Sequence, residues 1–276
     1  MPQTVIIGCG GAGCNAVSRV EDGTPIIKMN TGTHDAETTI SMSGGNVNGC
    51  RGDPDLGWAL AFDNKDDISK AIAGYRNVIV AAGLGGGTGS GAIPVISECV
   101  KAYNMNLISV VSVPMSFEAK RRAFAMLQMR KVIEISNRTI IFDIERMPDM
   151  GGSGMKISEA INSTNEMMKE AMARIITMLN GPFFSLLSEK VYTVAYATGS
   201  NPVEASERAL STTFFEANLS HGKIIVTSDS IMSRSEEDEV SRRICDITGI
   251  MPEVVHGDYA EGHGMMLFIP ISYHFL

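Results

Sequence analysis

Cysteine is scarce in this chain and follows no ligand pattern. The 276 residues hold five, Cys9, Cys14, Cys50, Cys99 and Cys245, with no C-x-x-C or other zinc-type spacing. An odd count in a chain of this length argues against a disulfide framework and suits a reducing compartment, so a cytoplasmic location is expected. Basic tracts are also missing. The formal net charge is −8, which argues against a nucleic-acid partner. No apolar run approaches the roughly 20 residues of a membrane span. Met1-Pro2 leads almost directly into an apolar strand, so no signal peptide and no membrane insertion are expected. The five histidines do not cluster, and no Ser-His-Asp arrangement can be built from them. What remains is 44% hydrophobic and 20% charged, the composition of a packed core in one large or two small domains.

Glycine is what the chain has in abundance, and it is concentrated in two loops. Gly83-Leu84-Gly85-Gly86-Gly87-Thr88-Gly89-Ser90-Gly91 lies between the apolar runs Val78–Ala82 and Ala92–Ile96. A glycine loop between a buried strand and a helix exposes backbone N–H groups at a helix N-terminus, and that arrangement binds phosphate. Thr88 and Ser90 add hydroxyls. The loop has no Lys, which excludes a Gly-Lys-Ser/Thr P-loop. The second loop, Gly8 to Asn15, follows Thr4-Val5-Ile6-Ile7, and its Gly8, Gly10 and Gly13 fit G-x-G-x-x-G. A dinucleotide site also needs a ribose carboxylate about 20 residues on. Here the next strand ends in Asn30-Thr31, which argues against an NAD-type oxidoreductase. Two glycine loops after two different strands suit one nucleotide held at both ends.

Strands are predicted at 3–8, 24–29, 77–82, 106–113 and 138–143, with helices at 11–20, 55–73, 89–103, 117–134 and 157–179. This alternation predicts a doubly wound parallel sheet, with ligands at the carboxyl ends of the strands. Ile161, Met168, Met172, Ile175, Ile176 and Leu179 recur at helical spacing in the last helix, and Asn180-Gly181-Pro182 stops it. A smaller α/β unit follows, with strands at 191–197, 222–228, 253–258 and 264–271 and helices at 203–216 and 234–248. The expected division is a nucleotide-binding domain over 1–156, a central helix over 157–180 and a second domain over 181–276.

With these motifs in place the chain resembles the tubulin/FtsZ superfamily, and FtsZ in particular. Gly85 to Gly91 matches that family's signature loop, and Gly8 to Asn15 its first nucleotide loop. Gly49-Cys50-Arg51-Gly52-Asp53 looks like the loop that meets the γ-phosphate. Pro114 to Glu118 with Arg122 is similar to the ribose-binding stretch. Asn165-Glu166 on the central helix is similar to the segment whose acidic residue faces guanine. The resemblance implies a GTP/GDP site with Mg²⁺ and head-to-tail self-association into filaments, with other FtsZ/tubulin-like subunits as possible partners. The residues it marks for nucleotide binding are Gly10, Gly11, Gly13, Asn15, Asn30, Gly52, Gly85, Gly86, Gly87, Thr88, Gly89, Ser90, Glu118, Arg122 and Glu166. No protein metal ligand is expected.

The departures bear on catalysis. Asn30-Thr31 is followed by Gly32 where the family has Asp, and Ile144 stands in place of a guanine-contacting Asn. The acidic base reader is Glu166 rather than Asp, although a carboxylate still accepts from guanine N1 and N2. After the central helix the family carries Asn-x-Asp-x-x-Asp/Glu, which completes the active site of the neighbouring subunit. Residues 180–190 contain no such motif, and Glu189 is their only carboxylate. Glu189 is therefore either a replacement catalytic group or a solvated strand-end charge. Arg51 is either a cation that stabilises developing charge, as an in-cis arginine does elsewhere, or an ordinary loop residue. Phe183, Phe184, Leu186 and Leu187 suit a subunit contact or the core equally. Slow GTP hydrolysis is the expectation, with a non-hydrolysing structural or regulatory protein as the alternative. The family's C-terminal linker and peptide have no counterpart before Leu276, so recruitment to a membrane by that peptide is not expected.

Overall fold

The computed structural model describes residues 3–18, 20, 23–32, 39–42, 49–147, 154–180, 185–255 and 262–273. The strands are β1 Thr4–Cys9, β2 Ile26–Asn30, β3 Ile40–Ser41, β4 Asn77–Gly83, β5 Asn106–Val113, β6 Arg138–Asp143, β7 Val191–Thr198, β8 Ile225–Ser228, β9 Glu253–Val255 and β10 Gly264–Pro270. The helices are α1 Gly10–Val17, α2 Pro54–Asp63, α3 Lys65–Ile72, α4 Thr88–Ala102, α5 Ala119–Ile135, α6 Ile157–Asn180, α7 Pro202–Leu210 and α8 Arg234–Thr248. A 3-10 turn spans Ile144–Arg146.

The ten strands among the described residues form one sheet in the order β3-β2-β1-β4-β5-β6-β7-β10-β8-β9. From β3 to β7 every pairing is parallel. β10 then runs antiparallel to both β7 and β8. The parallel strands are buried on both faces, as their unbroken apolar runs predict. Alternate residues divide between two cores. Val5, Ile7, Val78, Val80 and Val111 face Ile93, Ile96 and Val132 of α4 and α5. Ile6, Ile79, Ala81, Ile108 and Phe142 face Ala16 and Val17 of α1 and Met172 and Ile175 of α6. A third core packs α7 and α8 on β8 and β10 through Ala205, Val226, Val240, Ile244 and Leu267.

Three local expectations are corrected. The single helix predicted over 55–73 is two, because Asn64 leaves helical geometry at φ −102, ψ 15 and caps α2 through its Nδ2, which donates to the Leu60 carbonyl. The helix predicted over 203–216 stops at Leu210, and Thr213 instead pairs with Ala195 beside β7. The short strand β3 was not predicted; two residues are too few to show a period. Residues 256–258 of the strand predicted over 253–258, and Phe183 and Phe184, lie outside the described residues.

Candidate nucleotide site

The sheet order reverses direction between β1 and β4. The chain moves outward from β1 to β2 and β3, then returns to β4 on the other side of β1. In open parallel sheets the crevice at such a reversal is where ligands bind. Both glycine loops leave the sheet here, one from β1 into α1 and one from β4 into α4.

The loops are held close by glycines that leave no room for a side chain. A Cβ on Gly13 would lie 2.0 Å from the Ala81 carbonyl oxygen, so α1 seats directly on β4. A Cβ on Gly87 would lie 2.4 Å from Cys50 Cβ, which brings the 49–53 loop against the signature loop. Gly85 has φ +78 and donates its N–H to Gln128 of α5 at 2.9 Å. Gly89 approaches the Cys9 carbonyl, and Gly10 approaches the backbone of Gly89, so the two helix N-termini meet. Gly11, Gly52 and Gly86 differ. Among the described residues a Cβ would meet nothing within 4 Å at Gly11 and Gly52, and only the Gly83 carbonyl at 3.7 Å at Gly86. Their backbone therefore borders open space.

The donors at this junction suit an anion. Neither Cys9 before α1 nor Gly87 before α4 makes a side-chain cap, so the first N–H groups of both helices stay available and the positive ends of two helix dipoles converge. Ser90, at the third position of α4, has a buried hydroxyl with no hydrogen-bond partner among the described residues. Buried polar groups are nearly always paired, and a phosphate oxygen would supply the acceptor. Thr88 is already engaged: its hydroxyl lies 2.7 Å from that of Thr31. Thr31 also accepts from the Cys50 thiol at 3.6 Å. One fully buried threonine thus ties the loops after β2, before α2 and after β4 together. The candidate set passed over Thr31, because only tertiary contact distinguishes it from other loop hydroxyls. Asn30 accepts the Thr31 N–H at 2.9 Å and so shapes the same turn. Cys9, Cys14 and Cys50 are buried. Burial pushes the Cys9 thiol well up, with its two thiol neighbours adding to the effect, which marks packing residues rather than nucleophiles.

The remaining candidates are spread out. Asn15 is exposed on α1. Arg51 is exposed in a left-handed conformation, φ 46, in the loop that abuts Gly87. Arg122 is committed to a brace: it binds Asp143 through two contacts of 2.8 and 2.5 Å and donates to the Pro114 carbonyl at 2.6 Å. This pairing raises its pKa, and it locks the loop after β5 to the end of β6. Beside it, the Ser116 backbone N–H donates to Glu145 and lowers that carboxyl's pKa. Glu118 pairs with Arg121 at 2.7 Å. Glu166 lines a cavity of about 590 Å³ together with Met147, Met167, Tyr196, Arg208 and Phe214. No glycine-loop residue borders that cavity among the described residues. Glu189 sits just before β7, against Gly222. The glycine loops follow the carboxyl ends of strands parallel to β7, so Glu189 lies at the opposite end of the sheet. The length of β4 alone separates the two ends by about 20 Å.

The family described as Tubulin/FtsZ family, GTPase domain, matches residues 21–152. The cell division protein FtsZ of Neisseria gonorrhoeae is 28% identical over 188 residues, which is 64% of this chain and 48% of that protein. Cell division protein FtsZ 1 of Pyrococcus abyssi is 30% identical over 195 residues, again 64% of this chain and 50% of that protein. The chain thus spans about half the length of the curated relatives it matches. Among solved structures, an FtsZ variant from M. jannaschii superposes with a TM-score of 0.81 at 21% identity, covering 98% of this chain and 90% of that one. CetZ2 from Haloferax volcanii, a GTPgS-bound protofilament, gives 0.79 at 21% identity, covering 97% and 92%. At these identities the structural likeness speaks for the fold.

Proposed function

The chain belongs to the tubulin/FtsZ superfamily, and from that premise we propose that it is a GTP-binding cytoskeletal protein that stacks head to tail in a nucleotide-dependent way. One observation carries the nucleotide reading. Two uncapped helix N-termini meet at the sheet's reversal point, beside a buried Ser90 hydroxyl without a partner among the described residues. In this reading the open backbone at Gly11 and Gly86 lies along the phosphates. Thr31 and Thr88 fix the loop that carries Ser90. Asn15 and Glu166 serve the base end, where a carboxylate can accept from guanine and finds no matching donor pair on adenine. Arg122 and Glu118 shape the 114–118 stretch beside the ribose. Mg²⁺ would arrive with the nucleotide and neutralise phosphate charge. The relatives include a dimer and a protofilament by their descriptions, which supports self-association of this chain.

Hydrolysis, if the stack forms, is a property of two copies. Glu189 and the glycine loops occupy opposite ends of one sheet, so Glu189 can reach only the nucleotide of a neighbour. Arg51 lies on the nucleotide's own copy. We assign slow turnover, because residues 180–190 offer a single carboxylate where the family has a longer acidic motif. That same fact favours the second reading, a GTP-bound structural or regulatory subunit that caps or co-assembles with related filaments without turnover. We place the protein in the cytoplasm; no helix among the described residues is long and apolar enough to cross a membrane. The division into 1–156, 157–180 and 181–276 is part of the same proposal.

GTP binding by Ser90→Ala tests the site. A hydrogen bond to a charged group contributes about 1.5–3 kcal/mol, so affinity should fall by roughly tenfold or more, while stability holds or rises as an unpaired hydroxyl is removed. Unchanged affinity would remove the phosphate role. Phosphate release measured against protein concentration separates the two readings: a rising specific rate means a shared active site, and no release with GTP bound means the structural role.

A further inference from the structure

Trp58 is the only tryptophan of the chain. It stands 42% exposed on α2 beside Phe62, 46% exposed, and the two rings stack with centroids 5.1 Å apart. A stacked aromatic pair left in water marks an interaction surface. Asp55, one turn before Trp58, and Asp66, one turn after Phe62 on α3, are exposed as well. A second stripe runs along α5, where Lys120, Ala123, Leu127 and Lys131 are exposed at the same intervals of three, four and four residues. The first stripe reads acid, aromatic, aromatic, acid; the second reads base, small, apolar, base. Among the described residues none of Asp55, Asp66, Lys120 and Lys131 makes an ion pair. The acidic surface between α7 and α8 differs, because Glu204, Glu207 and Glu236 are already held by Ser200, Arg243 and Ser233.

Both stripes belong to one helical layer. α4 lies between them: Gly91 packs on Gly57 of α2, and Ser97 Oγ donates to the Ile135 carbonyl of α5 at 3.3 Å. Leu60 of α2 and Met129 of α5 enter the core against the sheet. Trp58 and Phe62 flank Leu60 two positions away, and Leu127 precedes Met129 by two. Two positions are more than half a turn of helix, so both stripes stand on the outer surface of the layer, away from the sheet. α2 and α5 also run in the same direction, since each follows one parallel strand and leads to another.

We propose that two copies pair face to face through this layer, about a twofold axis parallel to its helices, each laying its α2 stripe on the α5 stripe of the other. Such an axis sets α2 of one copy opposite α5 of its partner twice and keeps the helix directions alike. The two runs then match position by position: Asp55 meets Lys120, Trp58 covers Ala123, Phe62 packs on Leu127 and Asp66 meets Lys131. A self-complementary twofold contact is the commonest form of oligomer. Charge complementarity selects the occupant, because aromatics rimmed by acid call for an apolar strip rimmed by base, and this chain carries one in matching order. The contact uses the flank of the molecule and neither end of its strands. It therefore forms without nucleotide and is independent of the head-to-tail stack.

Sedimentation velocity of the full chain in EDTA, without nucleotide, reads the pairing, and Trp58 emission reports on the contact itself. The wild type should show a monomer–dimer equilibrium, a blue shift of emission on pairing, and a dissociation constant that rises severalfold between about 0.05 and 0.5 M salt. The charge reversals Asp55→Lys, Asp66→Lys and Lys120→Glu, Lys131→Glu, each made as a pair, should each raise that constant by about tenfold or more. An equimolar mixture of the two variants should pair again, because each copy then meets opposite charge at both contacts. Leu127→Asp, a single exposed change, should weaken pairing by about tenfold and carries the test if a double variant fails to fold. A wild type that stays monomeric at about 0.1 mM leaves the surface to some other occupant and overturns the inference. Folded variants that pair like the wild type overturn it too, as does a mixture of folded variants without rescue.

Discussion

Gly11 and Gly13 stand two residues apart in the same helix and should respond to alanine in opposite ways. At Gly13 the new Cβ would sit 2.0 Å from the Ala81 carbonyl oxygen and 2.9 Å from its carbon. Both are backbone atoms of a central strand and cannot rotate away. Restoring ordinary contact near 3.3 Å requires α1 to lift from β4 by about 1 Å, and overpacking of this kind costs about 1–3 kcal/mol or more. For a chain of this size that is a fall in Tm of roughly 3–10 °C. The lift also carries the first N–H groups of α1 away from the phosphates, so nucleotide affinity should fall together with stability. At Gly11 the Cβ would meet nothing within 4 Å among the described residues, and alanine is the better helix former by up to about 1 kcal/mol. Gly11→Ala should therefore melt at or slightly above the wild-type temperature while losing GTP affinity by about tenfold, because its methyl enters the space assigned to the ligand. Thermal melts and titration calorimetry on both variants read the two effects separately. If Gly11→Ala binds GTP as tightly as wild type, the open space beside α1 is not the phosphate site.

Other substitutions probe the supports of the fold. Thr31→Val should lower stability by about 1–2 kcal/mol, since it strands the buried Thr88 hydroxyl, and should weaken GTP binding further; equal loss in Thr31→Ser, which keeps the hydroxyl, would contradict this. Arg174 of α6, 1% exposed, meets Asp229 after β8 at 2.5 Å, and Tyr196 donates to the other Asp229 oxygen at 3.0 Å. Asp229→Ala should destabilise by about 3–5 kcal/mol by leaving a buried cation without this carboxylate, and adding Arg174→Met should restore much of the loss; denaturant unfolding checks both. Burial, and then the Asp229 charge, push the Tyr196 phenol up to about 12, against about 10 for an unfolded tyrosine. A raised pKa in the folded state means stability is complete below pH 10 and declines as pH climbs toward 12. Tyr196→Phe should flatten that decline in denaturant melts taken between pH 9 and 12, and an unaltered slope would exclude Tyr196 as its source.

The parallel half of the fold was legible because its signals are local. Unbroken apolar runs at 78–82 and 107–113, each followed by a helical period, leave few architectures open, and the structure places them as β4 and β5. The placement of the two glycine loops, each between a strand and a helix, was legible for the same reason: glycine runs flanked by apolar runs punctuate the chain locally. The split at Asn64 was not, since a single Asn within an apolar period gives no warning of a break. Neither Thr31 nor the pairing of Arg122 with Asp143 could be read in advance, since the partners lie 57 and 21 residues away.

The sequence by itself determined the class of sheet, the two glycine loops and the absence of a lysine from them, because each depends on periodicity or on residues a few places apart. Only the tertiary structure decided which glycines serve packing and which border open space, that Ser90 is buried without a partner among the described residues, and that Glu189 lies at the far end of the sheet. Those are statements about distance in space. Chain separation does not encode them until parallel pairing fixes which ends of the strands lie together.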